Sequence, residues 1–175
     1  MYPRVLAFAK AILERVPANA RILEIGAGEG QLTQLLRDAG CNVTPLDPKP
    51  RAAFDVITLR FEDFEAEPQS YDCIATQLVL HHAEDLDALL NKAQKLLKAD
   101  GILAIDDYGW ERASDDVSDE WRNERRDLYT SEVMLEALRT CFMQTYYADH
   151  AYFGDGAGDD SLAFTFIGKR KREPA

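Results

Sequence analysis

The sequence predicts a doubly wound α/β fold, with a seven-stranded, mostly parallel sheet that ends in an antiparallel C-terminal hairpin. Three observations predict it. Short apolar runs alternate with stretches of helical periodicity along most of the chain. The best formed alternation, "RILEIGAGEGQLTQLLRDAG" from Arg21 to Gly40, sets three alternate glycines between a strand pattern and a helix pattern. Two apolar runs near the C-terminus are separated only by a polar loop, which is how antiparallel neighbours connect.

Each element follows from local chemistry. "MYPRVLAFAKAILERV" reads as an amphipathic helix, with Pro3 suited to its first turn and Val5, Ala9, Ile12, Leu13 and Val16 on one face. Arg21–Ile25 is the first strand. Leu32, Leu35, Leu36 and Ala39 recur at helical spacing and stop at Gly40. "CNVTPL" is the second strand, halted by "DPKP"; "FDVITL" is the third and "YDCIAT" the fourth. Leu86, Leu89, Leu90, Ala93, Leu96 and Leu97 make a helix closed by Gly101, and "ILAID" follows as the fifth strand. Ser131–Thr140 is helical, with Val133, Met134, Ala137 and Leu138 on one side. "FMQTYYADHAYF" and "SLAFTFIGKR" form the hairpin around "GDGAGDD". One domain over residues 1–170, followed by a frayed basic tail at 171–175, is the expected organisation.

The chain has 175 residues, 46% of them hydrophobic, which suffices for a single core. Its formal charge is −11, so a phosphate backbone meets repulsion and nucleic acid is not the expected partner. No apolar run approaches the ~18 residues needed to span a bilayer. Lys10, Glu14 and Arg15 interrupt the N-terminal stretch, which therefore does not read as a signal peptide. Cys41, Cys73 and Cys141 are scattered, and no CxxC or HExxH occurs. They read as buried apolar residues in a reducing cytoplasm, with no metal site expected.

A turn after the first strand lies at the carboxyl edge of such a sheet, where ligands bind. Alternate glycines let the chain turn tightly and let a ligand approach the backbone. A dinucleotide site uses GxGxxG with a pyrophosphate on the helix N-terminus. This stretch is GxGxG, and Glu29 inside it would repel a pyrophosphate. Glu24, two residues before the glycines, better matches a cationic group such as an ammonium or a sulfonium.

Glu24-x-Gly26-x-Gly28-x-Gly30 resembles the first motif of the class I S-adenosylmethionine-dependent methyltransferases, whose fold is Rossmann-like. Asp47 closes the second strand, where the family carries the acid that binds both ribose hydroxyls. "FEDF" contributes Glu62, Asp63 and Phe64 where the family holds the adenine ring and its amine, with the acid open between Glu62 and Asp63. The stretch from Tyr71 to Asp106 is similar to the family's fourth strand, helix and fifth strand. Between Asp47 and the third strand, "PKPRAAF" is too short for the helix usual there. The resemblance implies S-adenosylmethionine as cofactor, S-adenosylhomocysteine as product, and contacts from Glu24, Gly26, Ala27, Gly28, Gly30, Asp47, Glu62, Asp63, Phe64 and Gln77.

Methyl transfer needs an aligned nucleophile and, for some acceptors, removal of its proton. His82 or His81, just past the fourth strand, is the candidate base, with Asp107 at the end of the fifth as the alternative. After Gln77 the chain runs "LVL", without the Pro-Pro pattern of family members that methylate amino groups of bases. A small-molecule acceptor is therefore expected, with a peptide or protein-bound acceptor also open. Residues 108–130 combine aromatics with arginines and form a candidate lid, with Tyr108, Trp110, Trp121 and Arg122 as acceptor contacts. Two rival readings are a silent cofactor-binding protein and a dinucleotide-dependent oxidoreductase.

Overall fold

The computed structural model describes residues 3–52, 55–113, 118–151 and 162–171. Its strands are β1 (Arg21–Ile25), β2 (Asn42–Leu46), β3 (Tyr71–Gln77), β4 (Leu97–Tyr108), β5 (Phe142–His150) and β6 (Ala163–Arg170). They form one sheet in the order β2-β1-β3-β4-β6-β5. The first four are parallel; β6 runs antiparallel to β4, and β5 antiparallel to β6. The helices are α1 (Pro3–Leu13), α2 (Gln31–Asp38), α3 (Leu86–Leu96), α4 (Asp119–Asn123) and α5 (Ser131–Cys141).

Both faces of the sheet are covered. Side chains alternate along each strand, so Ile22, Ala75 and Ala104 pack with Phe8, Ile12 and Leu36 from α1 and α2. Leu23, Ile74 and Leu103 pack on the other face with Leu90 and Leu138 from α3 and α5. Burial on both sides explains why apolar residues follow one another in the middles of β1 and β3, at residues 22–23 and 73–75.

Among the described residues the sheet has six strands, not seven. The expected third strand, "FDVITL", is reduced to one parallel bridge between Leu46 and Ile57. Ile57 donates to the Pro45 carbonyl at 3.0 Å, and Asp47 donates to the Ile57 carbonyl at 3.1 Å. The next ladder bond would need an amide proton on residue 45, and proline has none. Beyond the bridge, the Leu59 amide turns back onto the Ile57 carbonyl. The chain therefore forms an edge contact and no strand.

Helix α3 ends at Leu96, earlier than the Gly101 stop suggested. Its last carbonyls are taken from outside: Gln69 donates to Lys95 and Ser70 to Leu96, each at 2.9 Å. Leu97 then turns extended and begins β4. The loop "GDGAGDD", Tyr152 and Phe153 of the expected sixth strand, Phe54 and the tail beyond Lys171 lie outside the described residues.

The β1–α2 turn carries the glycines. Gly26, Gly28 and Gly30 all have left-handed backbone, with φ of 77°, 52° and 77°. The amides of Gly26 and Ala27 both donate to the Leu46 carbonyl, at 2.8 and 2.9 Å, which locks the exit of β1 to the exit of β2. Glu24 lies behind this turn, 3% exposed, and accepts a hydrogen bond from the Thr33 hydroxyl of α2. Burial pushes its carboxyl up to about 7, against partial relief from Thr33 and Arg37.

That burial sets a pH slope. The unfolded chain ionises Glu24 near its ordinary 4.5, while the folded chain keeps the proton to about 7. The acid's contribution to stability is thus full below the lower value and lost as pH rises through the upper one. Glu24→Gln retains an oxygen for Thr33 and removes the slope. Between about pH 4 and pH 8 the wild type should lose about 3 kcal/mol relative to the variant, read by urea denaturation across pH. Parallel stability curves would contradict this account of Glu24.

Candidate cofactor cleft

The carboxyl ends of β1, β2 and β3 open onto a cleft of about 280 Å³. Gly26, Asp47, Phe61, Glu62, Val79 and His82 are on its wall. Gly26 makes the tightest approach: a Cβ there would sit 2.2 Å from Cγ2 of Val79. A Cβ at Gly28 would meet nothing closer than 3.9 Å, so its need for glycine comes from its positive φ alone. Val79 is held in place by Leu78, whose backbone is left-handed at φ 59° and whose amide donates to the Asp106 carbonyl at 2.9 Å.

Asp47 is half-buried at the rim. Oδ2 accepts from the Gly28 amide at 2.8 Å and Oδ1 from the Lys49 amide at 2.7 Å. Each carboxylate oxygen has a second lone-pair direction, so the group can order the turn and still accept from a diol. Glu62 stands at the other end of the cleft, with Arg60 Nε 3.5 Å from its carboxylate. The neighbouring Asp63 is exposed and off the cleft wall. Of the "FEDF" aromatics, Phe61 lines the cleft, whereas Phe64 packs into the core with Phe61 and Leu86.

The two acids ending β4 point to opposite faces, and neither is exposed. Asp107 anchors the turn at Leu80–His82. Oδ2 accepts from the Leu80 amide at 2.7 Å, and Oδ1 accepts from the Tyr108 amide at 2.8 Å. His81 is 4% exposed, with Nδ1 2.5 Å from Asp107 Oδ1. Asp107 therefore positions a histidine and two backbone amides and does not face the cleft as a base. His82, exposed to solvent, is on the cleft wall; partial desolvation, and then the His81 ring, hold it below the ordinary imidazole range.

Asp106 gathers a second network. Arg4 of α1 grips it through Nε and Nη2 at 2.8 and 3.1 Å. Gln77 Nε2 reaches it at 2.6 Å and His150 Nε2 at 2.9 Å. Burial alone would raise this carboxyl, but the His150 hydrogen bond and the Arg4 charge hold it below the usual carboxylate range. Gln77 is thus committed to Asp106 and is not on the cleft wall. Arg4 and His150 are site residues that sequence reasoning missed. The ion pair spans 102 residues, and no local pattern announces it.

Glu24 and the four lid residues are not on the cleft wall either. Trp110 Nε1 donates to the Leu128 carbonyl at 3.1 Å, and Arg122 Nη2 to the Ala113 carbonyl at 3.0 Å. Trp121 sits 4.1 Å beneath the Arg125 guanidinium and packs near Tyr108, Ala113 and Leu162. Tyr108 meets His81 edge-on at 4.6 Å. Among the described residues no group of three His, Cys, Asp or Glu could hold a metal ion, and no helix is long and apolar enough to cross a membrane.

A family model described as a methyltransferase domain matches residues 2–147. The ubiquinone biosynthesis O-methyltransferase of Xylella fastidiosa is 32% identical over 109 residues, covering 54% of this chain and 44% of that protein. The malonyl-(acyl-carrier protein) O-methyltransferase of Enterobacter lignolyticus is 27% identical over 108 residues, covering 55% and 43%. The chain spans less than half the length of these curated relatives. Among solved structures, the N-methyltransferase NodS of Bradyrhizobium japonicum, in complex with S-adenosylhomocysteine, has a TM-score of 0.72 at 18% identity, covering 97% of this chain and 89% of that one. The Burkholderia thailandensis 1,6-didemethyltoxoflavin-N1-methyltransferase has a TM-score of 0.70 at 18% identity, covering 97% and 79%. At that identity the likeness is one of fold. With the family model matching most of its length, the chain belongs to the methyltransferase domain family and, by its glycine turn and sheet, to the class I S-adenosylmethionine-dependent methyltransferases.

Proposed function

We propose that the protein is an S-adenosylmethionine-dependent methyltransferase acting on a small-molecule acceptor, over a single domain at residues 1–170. One observation carries the cofactor assignment. Gly26, where a Cβ would have no room, and Asp47, whose carboxylate keeps unused lone pairs, share one cleft with Phe61 and Glu62 at its far end. An adenosine fits that order: ribose hydroxyls on Asp47, the ring against Phe61, the exocyclic amine toward Glu62. The turn at Gly26, Ala27, Gly28 and Gly30 lies beside the remaining end. Glu24 supports it from behind, and its proton leaves the turn without a buried negative charge at low pH.

Bound there, S-adenosylmethionine supplies a methyl group already activated by a sulfonium. The chain's own contribution is to bind, to align and, where the acceptor carries a proton, to receive it. His82 is the residue that receives the proton, because it is on the cleft wall and its surroundings favour the neutral ring that can accept one. His81 and Asp107 fix the turn that presents it. The curated relatives are named for ubiquinone biosynthesis and for a malonyl group on acyl-carrier protein, so a carrier-bound acceptor stands as the variant of this reading.

Calorimetry with S-adenosylhomocysteine tests the cleft. Asp47→Ala removes charge-assisted hydrogen bonds of about 1.5–3 kcal/mol each, so affinity should fall at least about tenfold. Gly26→Ala should weaken it comparably by driving Cβ into Val79. Gly40→Ala is the control: its φ of 88° imposes the same left-handed strain, but at the far end of α2. It should leave binding unchanged. Wild-type affinity in both cleft variants would overturn the assignment.

The state of His82 is read separately by NMR titration of its ring. The midpoint should fall below the ordinary imidazole value of about 6.5. A midpoint above about 7.5 would leave the ring mostly protonated at physiological pH and remove His82 as the base.

A further inference from the structure

Helix α3 meets the cofactor cleft at the end where Glu62 stands. Leu89 of α3 is on the cleft wall, and Lys92, three residues on, lies on the same side of the helix. The Lys92 ammonium donates to the Glu62 carbonyl at 2.7 Å and lies 5.4 Å from the centroid of the Phe61 ring. Phe61 and Glu62 are wall residues, and Lys92 is not. The contact spans 30 residues, so no local pattern announces it.

The turn that Lys92 reaches does little to hold itself. Phe61–Asp63 is a single turn of three residues without a side-chain cap. Its two internal bonds, from the Asp63 amide to the Arg60 carbonyl and from the Phe64 amide to the Phe61 carbonyl, are both 3.2 Å. The side chains of Phe61 and Phe64 anchor the apolar side of the turn in the core. Glu62 and Asp63, between them, are exposed. An exposed glutamate on such a turn has freedom to lose before it can hold a ligand in one orientation. Lys92 removes part of that freedom from a rigid element, because α3 is packed into the core along Leu86, Leu89, Leu90, Ala93 and Leu96. It takes the backbone carbonyl and leaves the Glu62 carboxylate to the cleft. Arg60, 3.5 Å from that carboxylate, is drawn the other way by a closer pair with Glu84 at 2.8 Å.

We propose that Lys92 is a positioning residue for the base of the cofactor. By tying the Glu62 backbone to α3, it aims the Glu62 carboxylate at the exocyclic amine and sets the preference of the cleft for adenine over hypoxanthine. The inference rests on the cofactor reading above and adds what fixes the base. Adenine offers the carboxylate a donor at the position where hypoxanthine carries an oxygen, so with hypoxanthine two acceptors meet without a proton between them. That mismatch counts only while the carboxylate is held in place, since an untethered glutamate turns out to water.

The test compares two ligands by calorimetry, S-adenosylhomocysteine and S-inosylhomocysteine, which differ at one substituent of the purine, amine against oxygen. Wild-type protein should favour the adenosyl ligand by about tenfold or more, the range of one charge-assisted hydrogen bond. Lys92→Met keeps an unbranched apolar stem beside Phe61 and removes the ammonium. It should weaken the adenosyl ligand roughly three- to tenfold, the range of one ordinary hydrogen bond, and leave the inosyl ligand unchanged. The retained inosyl affinity also reports that the variant is folded. Lys92→Arg, which keeps a donor, should restore the preference. In a Glu62→Ala background the preference is already lost, and Lys92→Met should add nothing. Wild-type affinity for both ligands in Lys92→Met, an equal loss for both, or the same loss with and without the Glu62 side chain would overturn the proposal; the equal loss is what a merely structural lysine gives. Failure of the underlying reading shows differently. A wild type that binds both ligands alike would overturn the role of Glu62 together with that of Lys92, and one that binds neither would overturn the cofactor cleft itself.

Discussion

The Leu46 carbonyl accepts from two consecutive amides, those of Gly26 and Ala27, and the site is assembled around that contact. Strands β1 and β2 end at the same level because of it. The left-handed glycines that follow then lie directly against Asp47, which closes onto the Gly28 amide. A side chain with an ordinary backbone preference at Gly26 would lose the turn and collide with Val79 together. The same geometry sets the start of α2, where Gly30 stands at the N-terminal boundary without a side-chain cap. Glu24, tied to Thr33, braces that helix from the interior. A buried acid held by one hydroxyl is a costly brace once ionised, and its carboxyl pushed up to about 7 reflects that cost.

Strand β4 organises the other half. Because side chains alternate, consecutive acids at its end serve opposite faces. Asp107 holds the His81 ring and the turn that carries His82, and Asp106 holds α1 and the end of β5 through Arg4 and His150. Asp106 and Arg4 form a pair whose side chains are 0% and 8% exposed, so neither charge tolerates loss of the other. One backbone position thus couples the cofactor side of the sheet to the helix-and-hairpin side.

What is legible in the sequence is local. The glycine spacing, Asp47 before its proline and the leucine repeat of α3 each state their structure within a few residues. The third strand is misread although its obstacle is visible, because Pro45 sits inside an apolar run and its missing amide matters only on the edge side of β2. "FEDF" is legible as a motif but not in detail: both phenylalanines are apolar and both join the core, and nothing local says that Phe61, and not Phe64, also lines the cleft. Arg4, Asp106 and His150 come together only through the sheet order, since α1, β4 and β5 are remote in sequence. Gln77 reads as a cofactor contact by position, and the same long-range network claims it. Trp121 and Arg125 are four apart in sequence, and the guanidinium lies over the indole as that spacing allows.

The central claim is that one cleft, from the glycine turn to Glu62, holds an adenosyl ligand with its ribose on Asp47. A crystal structure of the protein grown with S-adenosylhomocysteine addresses it most directly. The account predicts ligand density running from Gly26 past Asp47 to Phe61 and Glu62, with both ribose hydroxyls within hydrogen-bonding distance of the Asp47 carboxylate. An adenosine placed elsewhere on the sheet edge, or one whose ribose is held by a different acid, would contradict it.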